Sequence, residues 1–375
     1  MSPVLSLLSL LRRLAADRLL LVLLVAFPLL WLANPEGPSA LAARVHWPTI
    51  AALAGLMLLS RLLEESGFLA RWGRALLERV HGERRLAAAL ILFSALLAAV
   101  VTNDVALFVV VPLILGLDAV ARLPIGRLIV FQALAVNAGS TLSPVGNPQN
   151  LYLWQAYEVG FGEFLVAMLP LGAGLTLLLL ALVPLAFPAR RIEVHEAIAM
   201  PPARPRLMWL ALAGYPLFLW LADGGQALPA ALAVGGLCLL LARRVLLGVD
   251  WALLLVFVLM FIDLGLLGEW AWMQRLLATV PAWPGGLLTG GAAISQLVSN
   301  VPATLLLAEV AGEWRPLAWG VSVGGFGLAI GSLANLIALR LGKRPGLWGE
   351  FHRWSLPMLA LSLLLAFALE RLMGA

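Results

Sequence analysis

Four polar interruptions of apolar sequence hold the residue types with which membrane proteins handle ions. Thr102-Asn103-Asp104 interrupts the first. The stretch Asn137-Ala138-Gly139-Ser140-Thr141-Leu142-Ser143-Pro144-Val145-Gly146-Asn147-Pro148-Gln149-Asn150 forms the second, and its glycines and prolines break any spanning helix. Ser299-Asn300-Val301-Pro302 is the third, with Thr304 just beyond it, and Gly331-Ser332-Leu333-Ala334-Asn335 is the fourth. Asp104 is the sharpest single feature, since a carboxylate deep in apolar sequence costs about 2.5 to 3.5 kcal/mol on insertion scales and marks an ion or proton path. A purely structural role, capping the helix that follows, is the competing account. The two are compatible, because desolvation and the helix dipole act on such a carboxyl in opposite senses and leave it able to titrate.

Thr102, Asn103, Ser299 and Asn300 stand where half-helices begin, and the free N–H groups there attract an anion or an oxygen-rich neutral solute. Asn137, Ser140, Thr141, Ser143, Asn147 and Asn150, with Ser332 and Asn335 in the fourth break, offer side-chain oxygens beside unwound carbonyls, a combination suited to Na+. Against this stands the plain use of small polar residues as glue between helices. Asp263, in an apolar run, and Glu309 are weaker candidates.

The frame for these residues is a membrane protein. Of 375 residues, 62% are hydrophobic and 12% charged, outside the range of soluble domains. The net charge of +5 comes from dispersed arginines without a basic reading surface, so no nucleic-acid partner is expected. Cys238 is the one cysteine and is expected to pack as a small hydrophobe. The four histidines, His46, His81, His195 and His352, have no metal-ligand spacing. With no Gly-x-Ser-x-Gly and no His-Glu-x-x-His, an intramembrane enzyme lacks its machinery. Neither an enzyme nor a bound cofactor is expected.

Apolar runs of spanning length lie at Arg18 to Ala33, Val45 to Glu64, Phe164 to Phe187, Leu207 to Ala222, Ala227 to Leu247, Trp251 to Gly268 and Trp354 to Met373. Residues 86–121 and 284–311 are each too long for one crossing and broken at the centre, which predicts re-entrant hairpins with limbs of about half a helix. Residues 127–157 and 316–341 read as discontinuous helices. When both hairpins enter and leave by one face and the N-terminus is cytoplasmic, 21 of the 25 Lys and Arg residues fall inside; Arg44, Arg275, Arg315 and Arg371 fall outside, as does the C-terminus.

The chain also repeats. Trp47 to Trp72 is similar to Trp251 to Trp272, Thr102-Asn103 matches Ser299-Asn300, and residues 331–335 align with 143–147, which sets Asn335 against Asn147. The expected fold is therefore an all-α polytopic membrane protein of two inverted-topology repeats, 1–187 and 223–375, each with a re-entrant helical hairpin and a broken transmembrane helix. A proline-rich cytoplasmic linker, 188–206, and a connecting helix, 207–222, separate them. Amphipathic arms at 67–83 and 269–283 are expected to lie along the interface.

These motifs carry a resemblance. Thr-Asn-Asp-Val-Ala-Leu-Phe-Val-Val-Val-Pro (102–112), Asn-Ala-Gly-Ser-Thr-Leu-Ser-Pro-Val-Gly-Asn-Pro-Gln-Asn-Leu (137–151), Ser-Asn-Val-Pro-Ala-Thr (299–304) and Ile-Gly-Ser-Leu-Ala-Asn-Leu (330–336) resemble the ion transporter superfamily of arsenite permeases, NhaD-type sodium/proton antiporters and citrate and dicarboxylate transporters. They look most like the arsenite permease and NhaD branch. The dicarboxylate members have Ser-Asn-Thr at both tips, whereas Asp104 and Val301 occupy the third position here. The resemblance implies a central site between hairpins and broken helices, with H+ or Na+ as the coupling ion. No Lys or Arg falls in these segments, so a cation, a proton or a neutral oxyacid such as arsenous acid suits the site better than a doubly charged anion. The expectation is a secondary transporter in a bacterial inner membrane, moving a small inorganic ion or oxyacid, arsenite first. A Na+/H+ antiporter and then a citrate or dicarboxylate carrier are the alternatives. Besides that solute and the lipid bilayer no partner is required, and a homodimer is left open.

Overall fold

The structure is a computed structural model that describes residues 18–69, 71–72, 75, 80, 82–118, 123–192 and 203–373. The first arm (67–83) lies partly, and the middle of the linker, with His195, wholly outside these residues, as do His81 and Arg122. All regular structure among the described residues is helical. The helices are α1 (Arg18–Ala33), α2 (Pro38–Arg44), α3 (Trp47–Glu65), α4 (Glu83–Val100), α5 (Asn103–Asp118), α6 (Ile125–Ser140), α7 (Pro148–Ala156), α8 (Phe161–Ala186) and α9 (Pro205–Asp223). They continue as α10 (Ala227–Leu241), α11 (Arg243–Gly248), α12 (Trp251–Gly268), α13 (Ala271–Thr279), α14 (Gly286–Val298), α15 (Asn300–Ala308), α16 (Trp314–Val323), α17 (Leu333–Gly342) and α18 (Leu347–Met373). Five of these, α3, α8, α9, α12 and α18, are long and apolar enough to cross a membrane.

Element lengths recur along the chain. Helices of 16, 7 and 19 residues (α1 to α3) are echoed by helices of 15, 6 and 18 residues (α10 to α12). A helix–turn–helix, a broken helix and a long helix follow each set. The packing is reciprocal as well. α1 lies along α12 while its counterpart α10 lies along α3, and α5 meets α17 while α15 meets α7. Such exchange is what a pseudo-twofold axis requires, because each half's apolar stripe is covered by the other half's equivalent element. α9 has no counterpart among the described residues.

Two layers result. α1, α3, α9, α10 and α12 pack as one group, and the two helix–turn–helix units with the broken helices and α8 and α18 form the other. α6 is the axle of the second group, packing on α4, α5, α8, α17 and α18, and every residue after Arg127 to its end at Ser140 is buried. Its close contact with α4 depends on Gly139, where an added Cβ would meet backbone O of Ala95 at 2.0 Å. Gly320 makes the same approach in the second half, where a Cβ would meet backbone O of Leu288 at 2.4 Å. Small residues at such crossings let backbones approach.

Three sequence expectations change. Ala227 to Leu247 is not one helix: α10 ends at Leu241, Ala242 takes φ −149° and ψ 51°, and α11 turns away. The paired Arg243 and Arg244 cause this, since they cannot continue into the apolar layer. The limbs of the first hairpin, at 18 and 16 residues, are longer than half-helices, about 27 and 24 Å, because α4 begins with the polar turn Glu83-Arg84-Arg85. Finally, the repeat register shifts by three residues. Asn147 caps α7 by accepting from the Asn150 N–H at 2.8 Å, and Ser332 caps α17 by accepting from the Ala334 N–H at 3.3 Å. Asn147 is therefore the counterpart of Ser332, and Asn150, not Asn147, the counterpart of Asn335.

Candidate functional site

The two turns are built differently. Val101 and Thr102 link α4 to α5, with Val101 in extended conformation, and the tip is tied down where the Asn103 N–H donates to Gly146 O at 2.9 Å. Asn103 Oδ1 accepts from the Asp104 N–H at 2.9 Å. Asp104 is thus in the first turn of α5, not at its cap, and its charge faces the free N–H groups and positive dipole end there. In the second turn a single residue, Ser299, joins α14 to α15 with φ 77° and ψ 157°, a region that only glycine occupies without strain. Asn103 and Asn300 each open the second limb of their hairpin.

The breaks in the broken helices are closed by asparagine amides. Asn150 Nδ2 donates to the carbonyls of Ser140, Thr141 and Ser143, each at 3.2 Å, and Asn147 Nδ2 donates to Ser140 O at 3.0 Å. In the second half Asn335 Nδ2 donates to Gly325 O at 2.9 Å. Asn137 crosses between halves, donating to Gly325 O at 3.1 Å and to Asn335 Oδ1 at 2.8 Å while its Oδ1 accepts from the Ser332 hydroxyl at 3.0 Å. The Ser140 and Thr141 hydroxyls bond back to Asn137 O, and the Thr304 hydroxyl to Asn300 O. The carbonyls expected to face a cation are therefore engaged by protein N–H groups in this conformation.

A cavity of about 770 Å³ lies between the two layers. Thr102, Asn103, Asp104, Asn300 and Ser332 line it, so both turns and the break of the second half converge on one space. Asn137, Ser140, Thr141, Asn147, Asn150, Ser299, Thr304 and Asn335 are not among its lining residues; apart from Ser299, at the second turn itself, they are buried behind the wall they brace. The opposite wall is apolar, from Leu53, Met57, Leu253 and Phe257. Three polar lining residues escaped the sequence reading: Gln149, Asp250 and Arg340. Gln149 stands inside the second break and was recoverable from it; Arg340 follows Asn335 by five residues, about 7.5 Å along α17, and reads in sequence as a membrane-boundary charge. Asp250 caps α12 through the Leu253 N–H.

The cavity is polarised. Thr102, Asn300, Ser332 and Gln149 are buried, while Asp250, Arg340 and Trp348 are exposed. Gln149 Oε1 has no hydrogen-bond partner among the described residues, and the Thr102 hydroxyl stands beside the Asp104 carboxyl. Both residues line the cavity together with the carboxylates of Asp104 and Asp250. No cluster of His, Cys, Asp and Glu suited to a metal occurs among the described residues. Asp263 is buried on α12 outside this lining, and neither of its carboxylate oxygens is bonded among the described residues. Glu309 lies at the end of α15 beside Gly268.

At the far end from Arg340, Arg44 ties α2 to the segment after α12 by ion pairs with Glu36 and Glu269. Hydrogen bonding to Arg44 holds the Glu36 carboxyl below its ordinary value, and the Glu36 and Glu269 carboxylates raise that of Arg44. The Tyr157 hydroxyl nearby in the fold joins α7 to the end of α15, placed 3.2 Å from Ala308 O and 3.1 Å from Ala311 O.

Comparison with known proteins agrees with this architecture. The family model described as citrate transporter (CitMHS) matches residues 4–324. The chain is 44% identical over 361 residues to an inner membrane protein of Escherichia coli K12, YbiR, covering 96% of this chain and 97% of that one. It is 33% identical to an uncharacterized transporter of Methanocaldococcus jannaschii, MJ0456, over 84% of this chain and 86% of the relative. A silicon efflux transporter of rice, LSI3, is 32% identical over 141 residues, 37% of this chain and 29% of that one. Among solved structures, the Alcanivorax borkumensis YdaH transporter, reported to have an unusual topology, shares the fold with a TM-score of 0.57 at 14% identity, over 95% of this chain and 98% of that one. The chain is a multi-pass membrane protein and belongs to the citrate transporter family of the ion transporter superfamily.

Proposed function

We propose that this protein is a secondary transporter that moves a small inorganic ion or neutral oxyacid, with arsenite as the leading substrate, by alternating access coupled to H+ or Na+. The observation that carries the reading is the placement of the cavity. It lies between the two layers, its buried end gathers hydroxyls and amides from both halves around Asp104, and it is open at the other end. A solute at that end contacts Thr102, Asn103, Asn300 and Ser332, and sliding of one layer past the other transfers access to the opposite face. Asp104 is the carrier of the coupling proton or cation. With the arginine-rich face cytoplasmic, in a bacterial inner membrane, this conformation is open to the cytoplasm. The buried end has no guanidinium, since Arg340 is exposed, so a neutral oxyacid is held through its hydroxyls without an uncompensated charge.

A Na+/H+ antiporter is the second reading, supported by the side-chain oxygens of Thr102 and Gln149 that line the cavity with Asp104, since hard cations prefer oxygen ligands. Transport of citrate, the solute in the family's description, or of a dicarboxylate ranks third because the buried end lacks a cationic side chain.

Proteoliposomes loaded with a pH reporter decide among these. Labelled arsenite, citrate and 22Na+ are offered under imposed proton or sodium gradients, with Asp104→Asn as the paired variant. Saturable arsenite counterflow with gradient dependence that disappears in Asp104→Asn is the expected result. Counterflow of citrate or Na+ alone would replace the substrate assignment, and unchanged pH dependence in the variant would remove Asp104 from the coupling role.

A further inference from the structure

A second, smaller cavity, of about 640 Å³, lies away from the transport site, between the start of α9, the end of α10 and α11. Its polar rim is arginine: Arg204, Arg206, Arg243 and Arg244. Its wall is apolar, from Leu207, Leu210 and Leu241. The only acidic residue lining it, Glu65, is already engaged by two guanidiniums, Arg61 at 2.8 Å and Arg204 at 3.1 Å. Arg243 spends its Nε on Leu239 O at 2.9 Å, which leaves the other nitrogens of its head outward. Arg206 and Arg244 are exposed and form no ion pair among the described residues. Three positive charges therefore border this groove without neutralisation by described residues.

The position of the groove determines what neutralises them. α9 and α10 both begin or end here, so it lies at the polar boundary of the apolar layer. The surface running from it is lipid-facing: Trp209 is 65% exposed, Leu240 77% and Leu241 62%. An occupant must be anionic at one end and apolar along the other, and must approach from the membrane side. We propose that the groove is a binding site for an anionic phospholipid, its phosphate held by Arg206, Arg243 and Arg244 and its acyl chains laid along α9 and α10. Arginine forks match phosphate oxygens bidentately, and basic pockets between helices at a membrane boundary select acidic headgroups.

The test uses the full-length protein in detergent, titrated with phosphatidylglycerol, phosphatidylcholine or soluble glycerol phosphate, with bound lipid counted by native mass spectrometry and stability followed by thermal unfolding. Wild type is expected to retain phosphatidylglycerol over phosphatidylcholine and to melt higher with it. Glycerol phosphate, which lacks the chains, is expected to give no shift. Each of Arg206→Ala, Arg243→Ala and Arg244→Ala is expected to weaken retention about fivefold, the factor equivalent to about 1 kcal/mol per arginine near an anionic surface. Arg315→Ala, far from the groove, serves as the control and is expected to retain lipid as wild type does. Equal retention of the two lipids by wild type would overturn the proposal without recourse to any variant. A shift produced by glycerol phosphate as large as that produced by the lipid would assign the groove to soluble phosphates instead. A dimer that dissociates in Arg244→Glu while lipid preference is absent would make this face a contact between copies.

Discussion

Asn137 and Asn335, 198 residues apart, share one carbonyl acceptor, Gly325 O, and bond to each other at 2.8 Å, so the break of the second half is held closed jointly by both halves. Neither asparagine touches the cavity, yet Ser332, which does, is held by the Asn137 amide oxygen. Removing either amide strands buried partners at a cost of about 1 to 3 kcal/mol. Asn137→Ala and Asn335→Ala are each expected to lower the thermal midpoint in detergent, and the double variant to lose less than the two losses added together, as coupled residues do. Strict additivity would show that the bridge is not shared.

Gly139 and Gly320 make equivalent close approaches at the two helix crossings that hold hairpins to broken helices. A methyl at either meets backbone, which cannot rotate aside. Gly139→Ala and Gly320→Ala are expected to destabilise by about 1 to 3 kcal/mol through overpacking. Gly162→Ala on α8, with open space around the added Cβ, is expected to be neutral or stabilising by up to about 1 kcal/mol from helix propensity. Chemical or thermal unfolding of the three proteins checks the contrast.

Ser299 carries strain at the turn beside the cavity, with φ 77° and ψ 157°. Ser299→Gly is expected to relieve about 1 to 3 kcal/mol, less the entropy that glycine adds to the unfolded chain, and to raise the melting temperature. Ser299→Ala keeps the strain and is expected to give no gain. A transport assay on the glycine variant is expected to show a lower maximal rate, because a turn that relaxes no longer holds Asn300 at the cavity in one geometry.

The Glu36–Arg44 pair predicts a pH dependence with a definite sign. Arg44 depresses the folded-state pKa of Glu36 below its ordinary value of 4.5. The folded state therefore holds fewer protons than the unfolded state in the acid range, and the pair's contribution is present above that ordinary value and lost as pH falls through the depressed one. Glu36→Gln is expected to lower the neutral plateau slightly and to converge with wild type in acid, which flattens the acid limb of a melting temperature against pH curve. An identical acid limb in the variant would remove this pair as a source of acid sensitivity.

Much of this molecule is determined by the sequence alone. Apolar runs with few charges leave no soluble alternative, and the four polar breaks mark where helices stop, because glycine, proline and unpaired amides cannot sit in an apolar layer unless their backbone groups are satisfied. Thr102, Asn103, Asp104, Asn300 and Ser332 could be named from those breaks and do line one cavity. Tertiary structure decided the rest. Whether an asparagine faces a solute or a carbonyl is a matter of which chain segment folds opposite it, and Asn150 and Asn335 turn their amides onto the breaks themselves. The true register of the halves, with Asn150 and not Asn147 matching Asn335, follows from cap positions, which depend on backbone dihedrals that short motifs of similar composition do not specify. Arg340 and Asp250 join the cavity for the same reason: charges that end helices in sequence come to border a shared space only when α12 and α17 pack on either side of it.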